Sequence, residues 1–101
     1  MIAEFSVIPI GAGSSTSVHV ANVVKLIDES GLEYRLNPMG TVVEGEWADV
    51  MALIERCHRL VADDVERVLT SITIDDRKGR NDRITKKIES VERIIGRPVK
   101  K

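Results

Sequence analysis

The chain has 101 residues, with 15 basic and 16 acidic side chains. This length suits one domain and is too short for two separate cores, so we expect a single domain over residues 1–101. The balanced charge provides no field that would attract nucleic acid or an anionic membrane, which argues against both partners.

The cysteine content and the apolar pattern favour a soluble protein of the cytoplasm. The single cysteine, Cys57, cannot form an intramolecular disulfide, and the residues after Met1 lack the pattern of a secretory signal. No apolar run approaches the roughly 20 residues needed to cross a bilayer. One Phe, one Tyr and one Trp also leave no row of rings for stacking bases, which argues against single-strand binding.

An apolar strand is predicted at Ile2–Ile10, and its apolar residues on both faces indicate a central position in a sheet. The glycine- and hydroxyl-rich run that follows interrupts the strand. Helix one is predicted after this run and ends at Gly31. The candidate caps for this helix are Ser14, Ser15 and Thr16.

A pair of strands is predicted next. Residues from Leu32 alternate with a period of two until Pro38, and a second short strand follows at Thr41–Glu44. A four-residue connection over residues 37–40 would place Val43 beside Leu36, with Glu44 on the opposite face.

The second half of the chain is predicted to form helix, strand and helix. Helix two is indicated by an apolar stripe at three- and four-residue steps, formed by Trp47, Val50, Leu53, Ile54, Cys57, Leu60 and Val61. Asp63 and Asp64 interrupt it, and strand four follows at Val68–Asp75. Helix three is indicated by Ile84, Ile88, Val91 and Ile95, with Asn81 or Asp82 as its cap and Gly96 at its end.

This order of elements matches an α+β, ferredoxin-like βαββαβ sandwich with an additional C-terminal helix and an antiparallel sheet of order 4-1-3-2. Two helices would cover one face of the sheet. The other face, called the open face below, would carry Ile2, Glu4, Ser6, Ile8, Val42, Glu44, Leu69, Ser71 and Thr73. Because monomers seldom expose large apolar patches, we expect the sheet of another subunit to cover it.

Several candidate motifs are better explained by structure than by chemistry. Gly11 to Gly13 after a strand would suit an anion, but the spacing matches no dinucleotide or P-loop motif, so a capping loop is favoured. Cys57 and His58 are adjacent on a helix and point about 100° apart, so they do not share a metal ion. We expect Cys57 in the core and His19 at the surface near the start of helix one.

The acidic pair Asp75 and Asp76 is followed by Arg77, Lys78 and Arg80, which favours a turn with ion pairs over a metal site. No Ser/His/Asp or Cys/His arrangement is evident, and both histidines lie on predicted helices away from the open face. We therefore expect a protein without catalytic activity, without a metal and without a cofactor.

The polar residues of the open face leave two interpretations open. Carboxylates beside apolar neighbours require a partner, since burial of an unpaired charge is costly. A cationic or amine-bearing ligand would supply that partner, and so would a basic side chain from an opposing subunit. The residues concerned are Glu4, Ser6, Glu44, Ser71 and Thr73.

Three stretches of the chain resemble the YkoF-related thiamine-binding-domain family of small proteins. They are Ser-Val-Ile-Pro-Ile-Gly at 6–11, Met-Gly-Thr-Val-Val-Glu at 39–44 and Ser-Ile-Thr-Ile-Asp-Asp-Arg at 71–77. The resemblance implies a ferredoxin-like fold and association through the sheets into homodimers or homotetramers. It also implies binding of thiamine, as in the YkoF branch. The YkoF protein has two such domains in tandem, whereas this chain has one.

The resemblance leads to a hypothesis for the site. Thiamine carries a cationic thiazolium, which Glu44 could balance, and an aminopyrimidine that needs donors and acceptors. The proposed ligand-binding set is Ser6, Ile8, Met39, Thr41, Glu44, Ser71 and Thr73. The leading hypothesis is a non-catalytic protein that binds thiamine or a related hydroxymethylpyrimidine or thiazole compound at a sheet interface. The alternative is a structural or regulatory homo-oligomer with no small-molecule ligand.

Overall fold

The computed structural model describes residues 1–11, 16–79 and 83–100, with the side chains of residues 16 and 83 left aside. These residues form four strands and three helices: β1 (Ile2–Ile10), α1 (Thr16–Glu29), β2 (Glu33–Asn37), β3 (Gly40–Glu44), α2 (Trp47–Ala62), β4 (Arg67–Asp75) and α3 (Arg83–Ile95). The strands form one antiparallel sheet of order β2-β3-β1-β4, which is the predicted order read from the other edge. The predicted fold is therefore confirmed.

The ends of α1 show how local sequence sets the boundaries of an element. Gly31 has a φ of 77°, a left-handed conformation that glycine adopts without steric cost, and it follows the last turn of the helix as predicted. The Ile27 carbonyl, near the end of the helix, accepts hydrogen bonds from both the Ser30 hydroxyl at 2.6 Å and the Ser30 amide at 3.1 Å. The predicted cap residues Ser14, Ser15, Asn81 and Asp82 lie outside the described residues, and the side chain of the further candidate, Thr16, is not described.

The pairing of β2 with β3 corrects one prediction. Val43 lies opposite Tyr34, and Leu36 lies opposite Thr41, so the pairing is two residues away from the predicted one. Asn37 and Gly40 also pair, which leaves a two-residue connection where we expected four residues. Leu36 lies opposite Thr41 with either length of connection, so the length of the turn is not the cause of the difference. A shift of two residues preserves the face of each side chain, so Val43 still faces the helices and Glu44 still lies on the open face.

The core lies between one face of the sheet and helices α1 and α2. Its fully buried side chains include Ile27, Val43, Val50, Cys57 and Val61. The predicted stripe of α2 is correct except at its margins, because Trp47 is 54% exposed and Leu60 is 41% exposed. Both residues turn away from the sheet, so the buried stripe is narrower than the apolar pattern indicated.

The third helix covers part of the open face. Ile84, in the first turn of α3, is buried, and its amide donates to Glu44 Oε1 at 3.4 Å. Lys87 Nζ contacts Asp75 Oδ2 at 2.7 Å, which ties α3 to the end of β4. The open face is therefore partly covered within the chain near Glu44, while Ile8 and Leu69 towards its other end are 46% and 50% exposed.

Candidate ligand-binding cleft

A cleft of about 240 Å³ opens where the turn between β2 and β3 approaches β1 and α1. One wall is the hairpin turn, the floor is the middle of β1, and the other wall is the first half of α1. Its lining residues are Phe5, Ser6, Val7, Ile8, Val20, Val23, Val24, Leu36, Asn37, Pro38, Met39, Gly40 and Thr41. The lining is mostly apolar, with a few polar groups, which is the usual character of a small-molecule site.

The cleft exists because β1 is longer than β3. The ladder between the two strands ends at the pair Phe5 and Thr41, whereas β1 continues to Ile10 and stays paired with β4. The hairpin approaches β1 closely at Gly40, where an added Cβ would lie 3.1 Å from the Phe5 carbonyl oxygen. Glycine lets the hairpin pack at this distance, whereas a residue with a Cβ would force the hairpin or β1 to shift.

Uncharged groups provide the polar part of the cleft. Thr41 is 7% exposed, and its hydroxyl has no hydrogen-bond partner among the described residues. Ser6 is half-buried and faces the open face. No described lining residue has an ionisable side chain. A buried hydroxyl without a partner is costly, so the cleft suits a ligand or a water that completes this hydrogen bond.

The structure brings together four of the seven predicted ligand-binding residues. Ser6, Ile8, Met39 and Thr41 all line the cleft, although Thr41 faces the helices and Ser6 faces the other way. Ser71 and Thr73 lie outside the cleft on the open face, where they pair across the sheet with Ser6 and Glu4. The role of all seven residues in binding stays a prediction.

Glu44, the remaining member of the set, lies away from the cleft. It is 8% exposed, and its carboxylate accepts the Ile84 amide at the start of α3. Helix amino ends carry partial positive charge and stabilise a carboxylate there. We expected a ligand or an opposing subunit to provide a partner for the Glu44 carboxylate, and the chain itself thus provides part of it.

The two histidines have structural contacts. His19 was predicted at the surface, but it is 8% exposed and its Nε2 lies 2.9 Å from Asp64 Oδ2, so it joins α1 to the end of α2. His58 lies at the margin of the core, and its Nδ1 is 2.7 Å from the Thr70 hydroxyl. These contacts place both rings outside the cleft.

The thiol and the carboxylates do not form a reactive centre in the described part of the chain. Cys57 is fully buried as predicted, and burial raises the pKa of its thiol to about 11, so it stays protonated at neutral pH. Within residues 1–11, 16–79 and 83–100, no three His, Cys, Asp or Glu side chains are grouped to hold a metal ion. Asp75 pairs with Lys87 of α3. The predicted ion pairs within its turn involve Arg80, which lies outside the described residues, and they stay a prediction. The predicted capping loop after Gly11 lies outside the described residues.

The sequence interpretation missed the helical wall of the cleft. Helical spacing at Val20 and Val24 predicts α1 but does not single out either residue for the site, yet Val20, Val23 and Val24 all line the cleft. Val20 is 50% exposed, so it does not belong to the core. The adjacent valines at 23 and 24 are a signal that could have indicated a second apolar face on α1.

Comparison with known proteins identifies the family. A family model described as thiamine-binding protein matches residues 3–92. The chain belongs to this thiamine-binding protein family. A UPF0045 protein of Methanocaldococcus jannaschii is 34% identical over 91 residues, which cover 90% of this chain and 91% of the relative. The UPF0045 protein YqgV of Bacillus subtilis is 39% identical over 98 residues, which cover 91% and 94%.

Solved structures of similar proteins share the fold. The crystal structure of a hypothetical protein from Methanocaldococcus jannaschii superposes with a TM-score of 0.82 at 34% identity, covering 89% of this chain and 93% of that one. A Thermotoga maritima protein, assigned provisionally to thiamine biosynthesis or salvage, superposes with a TM-score of 0.78 at 21% identity, covering 89% and 96%. At that identity the likeness shows the fold alone.

Among the described helices, none is both long enough and apolar enough to span a membrane.

Proposed function

We propose that the protein binds thiamine or a related hydroxymethylpyrimidine or thiazole compound in the cleft, without catalysing its conversion. The observation that carries this proposal is the buried Thr41 hydroxyl, which has no partner among the described residues and belongs to a mostly apolar cleft. Membership of the thiamine-binding protein family supports the choice of ligand.

The composition of the cleft suits a flat heterocycle. Phe5, Val23 and Leu36 provide apolar surface for a ring, and the hydroxyls of Ser6 and Thr41 provide donors and acceptors. Met39, at the tip of the hairpin, is 89% exposed and could pack over a bound ring. We propose that these groups hold the ligand while its charged part stays near the mouth of the cleft.

The absence of catalysis is part of the proposal. A general acid or base must lie within hydrogen-bond reach of the reacting group. The described lining of the cleft has no ionisable side chain, and the contacts of His19 and His58 place both rings elsewhere. These features favour a role in transport, storage or sensing of the ligand.

We further propose that the open face is the contact surface between subunits of a homo-oligomer, as a dimer or a dimer of dimers. Ile8 and Leu69 are 46% and 50% exposed there, and Ile94 and Ile95 of α3 are 83% and 49% exposed. Apolar surface of this kind is usually covered by a partner. Ser71 and Thr73 would then lie at this contact, and Ser6 would lie between the contact and the cleft.

Calorimetric titration with thiamine tests the binding site. Ser6 and Ser71 are cross-strand partners on one face, but only Ser6 lines the cleft, so Ser6→Ala and Ser71→Ala form a matched pair. We expect wild-type protein to bind thiamine, Ser6→Ala and Thr41→Val to bind about tenfold more weakly, and Ser71→Ala to bind like wild type. Equal weakening by Ser6→Ala and Ser71→Ala would place the ligand on the open face. No heat from wild type would refute the proposal.

A structural or regulatory homo-oligomer without a ligand is the second candidate, and the exposed apolar residues of the open face favour it. Sedimentation of Leu69→Ser and Leu60→Ser tests whether the open face is the contact surface. Both substitutions replace a leucine that is about half exposed, but Leu69 lies on the open face and Leu60 lies on α2. We expect only Leu69→Ser to lower the oligomer mass. This result combined with no binding of thiamine would favour the second candidate.

A further inference from the structure

The middle of β1 carries backbone groups that the sheet does not use. Antiparallel pairing alternates, so that each residue of a central strand directs its amide and carbonyl towards one neighbouring strand only. The Met1 amino group donates to the Gly45 carbonyl, and the Gly45 amide donates to the Met1 carbonyl, both at 3.1 Å. The odd-numbered residues of this segment therefore face β3, and the even-numbered residues face β4.

This alternation isolates Val7. Ala3 and Phe5 pair with Val43 and Thr41 of β3, and the next odd-numbered position on β1 is Val7. Continued pairing would place Met39 opposite Val7, but the chain turns at Met39 and no bond joins them. Within the described residues, the Val7 amide and carbonyl thus have no backbone partner, and both Val7 and Met39 line the cleft.

Resting on the proposed function, we propose that the amide and carbonyl of Val7 recognise the ligand. A residue at a strand edge presents one donor and one acceptor side by side. The complementary ligand has an acceptor next to a donor on one planar edge, as the ring nitrogen and the exocyclic amine of an aminopyrimidine do. The ligand class is therefore an uncharged amino-heterocycle or the uncharged end of a larger molecule.

Two features of the cleft support a small molecule over an added peptide strand. Strand addition requires successive donors along the edge, but the next residue facing this side is Pro9, which has no N–H. The described lining also provides no side-chain charge that would bind a phosphate or a carboxylate within the cleft. The recognised part of the ligand is thus limited to about one ring, with any charged group left outside.

The test uses a substitution that removes only the proposed donor. Because the Val7 amide faces away from β4, Val7→Pro removes this N–H without breaking the ladder to β4. Val7→Ala is the control, since it removes more side chain than proline does but keeps the amide. We expect Val7→Pro to bind thiamine at least about tenfold more weakly than Val7→Ala, with both variants folded by circular dichroism.

A measurement on wild-type protein covers the case in which Val7→Pro does not fold. In amide NMR spectra with saturating thiamine, we expect the Val7 proton to move downfield and exchange more slowly, while that of Phe5, already paired with β3, stays unchanged. We also expect 4-amino-5-hydroxymethyl-2-methylpyrimidine to bind at least about tenfold more tightly than its analogue without the amine.

The outcomes separate this inference from the proposed function. Thiamine binding with Val7→Pro equal to Val7→Ala, or with an unchanged Val7 amide signal, would overturn the inference alone. Failure of wild-type protein to bind either thiamine or the pyrimidine would overturn both. Weakening confined to Val7→Pro, or a Val7 signal that responds as expected, would support the inference.

Discussion

Substitution of Glu44 by glutamine tests how α3 is held on the open face. Glu44 is 8% exposed, and its carboxylate accepts the Ile84 amide at 3.4 Å. Glutamine keeps the size and an acceptor but removes the charge that the helix amino end stabilises. The variant therefore removes the charge while keeping a side chain of the same size against α3.

The magnitude follows from two contributions, the weaker hydrogen bond and the relief of a repulsion. A hydrogen bond to a charged group contributes about 1.5–3 kcal/mol and a neutral one about 0.5–1.5 kcal/mol, and a length of 3.4 Å favours the lower values. Glu33 lies directly opposite Glu44, so removal of one charge also relieves a repulsion of a few tenths of a kcal/mol. We expect Glu44→Gln to lower the free energy of unfolding by about 1 kcal/mol. Glu44→Ala, which leaves the amide without this acceptor, should lower it by about 2 kcal/mol.

Urea unfolding followed by circular dichroism, at one fixed protein concentration, measures this difference. Glu33→Gln is the matched control, because Glu33 belongs to the same cross-strand pair but is exposed. We expect the control to stay within about 0.5 kcal/mol of wild type. If Glu44→Gln is no more destabilising than Glu33→Gln, the account of how α3 is anchored is wrong.

Three further predictions address the core, the helix contact and the cleft. Burial raises the pKa of the Cys57 thiol from 9.0 to about 11, so the contribution of the protonated thiol to stability is fully present below pH 9 and is lost as the pH rises to 11. In unfolding measured at each pH, the free energy of unfolding of wild type should therefore fall by about 2–3 kcal/mol more than that of Cys57→Ala over this interval. Equal losses would refute this prediction. In thermal unfolding, His19→Ala should lower the free energy of unfolding by about 2 kcal/mol and Asp64→Asn by less than about 1 kcal/mol. The reason is that His19 is buried, whereas the Asp64 side chain is 74% exposed. A larger loss for Asp64→Asn than for His19→Ala would contradict this prediction. Gly40→Ala should weaken calorimetric binding of thiamine several-fold, because its Cβ would lie 3.1 Å from the Phe5 carbonyl oxygen. Gly45→Ala serves as control, because its Cβ would meet side-chain atoms only, of Leu32 at 3.1 Å and Val50 at 3.4 Å, away from the cleft. Equal effects of the two substitutions would refute the role of Gly40.

The sequence predicted the fold well because most of its signals are local. Alternation around Tyr34 and Leu36, the stripe around Val50 and Cys57, and the ends at Gly31 and Gly96 are each set by a few neighbouring residues. The order of strands then follows from how few ways such elements connect. These predictions are confirmed by the structure.

Features that depend on contacts between distant elements were not predictable in the same way. The predicted pairing of β2 with β3 was wrong by two residues, because alternation fixes which face a side chain occupies but not which residue of the neighbouring strand lies opposite it. The contact of His19 with Asp64 joins residues that are 45 positions apart in the sequence. The anchoring of Glu44 likewise depends on α3, whose position the apolar pattern of that helix does not specify.

The candidate site was only partly predictable for the same reason. Strand parity grouped Ser6 with Ser71 and Thr73, and the structure places these three residues on one face. The cleft forms instead where β1 extends beyond β3, and it collects Ser6 and Thr41 from opposite faces. This geometry results from unequal strand lengths and a close approach at Gly40, which periodicity does not encode.

A crystal structure of the protein grown with thiamine tests the central claim most directly. The account predicts electron density for one ring in the cleft between the hairpin turn, β1 and α1, within hydrogen-bond distance of the Thr41 hydroxyl. Density for thiamine only on the open face, or an empty cleft in crystals grown at saturating thiamine, would contradict the account.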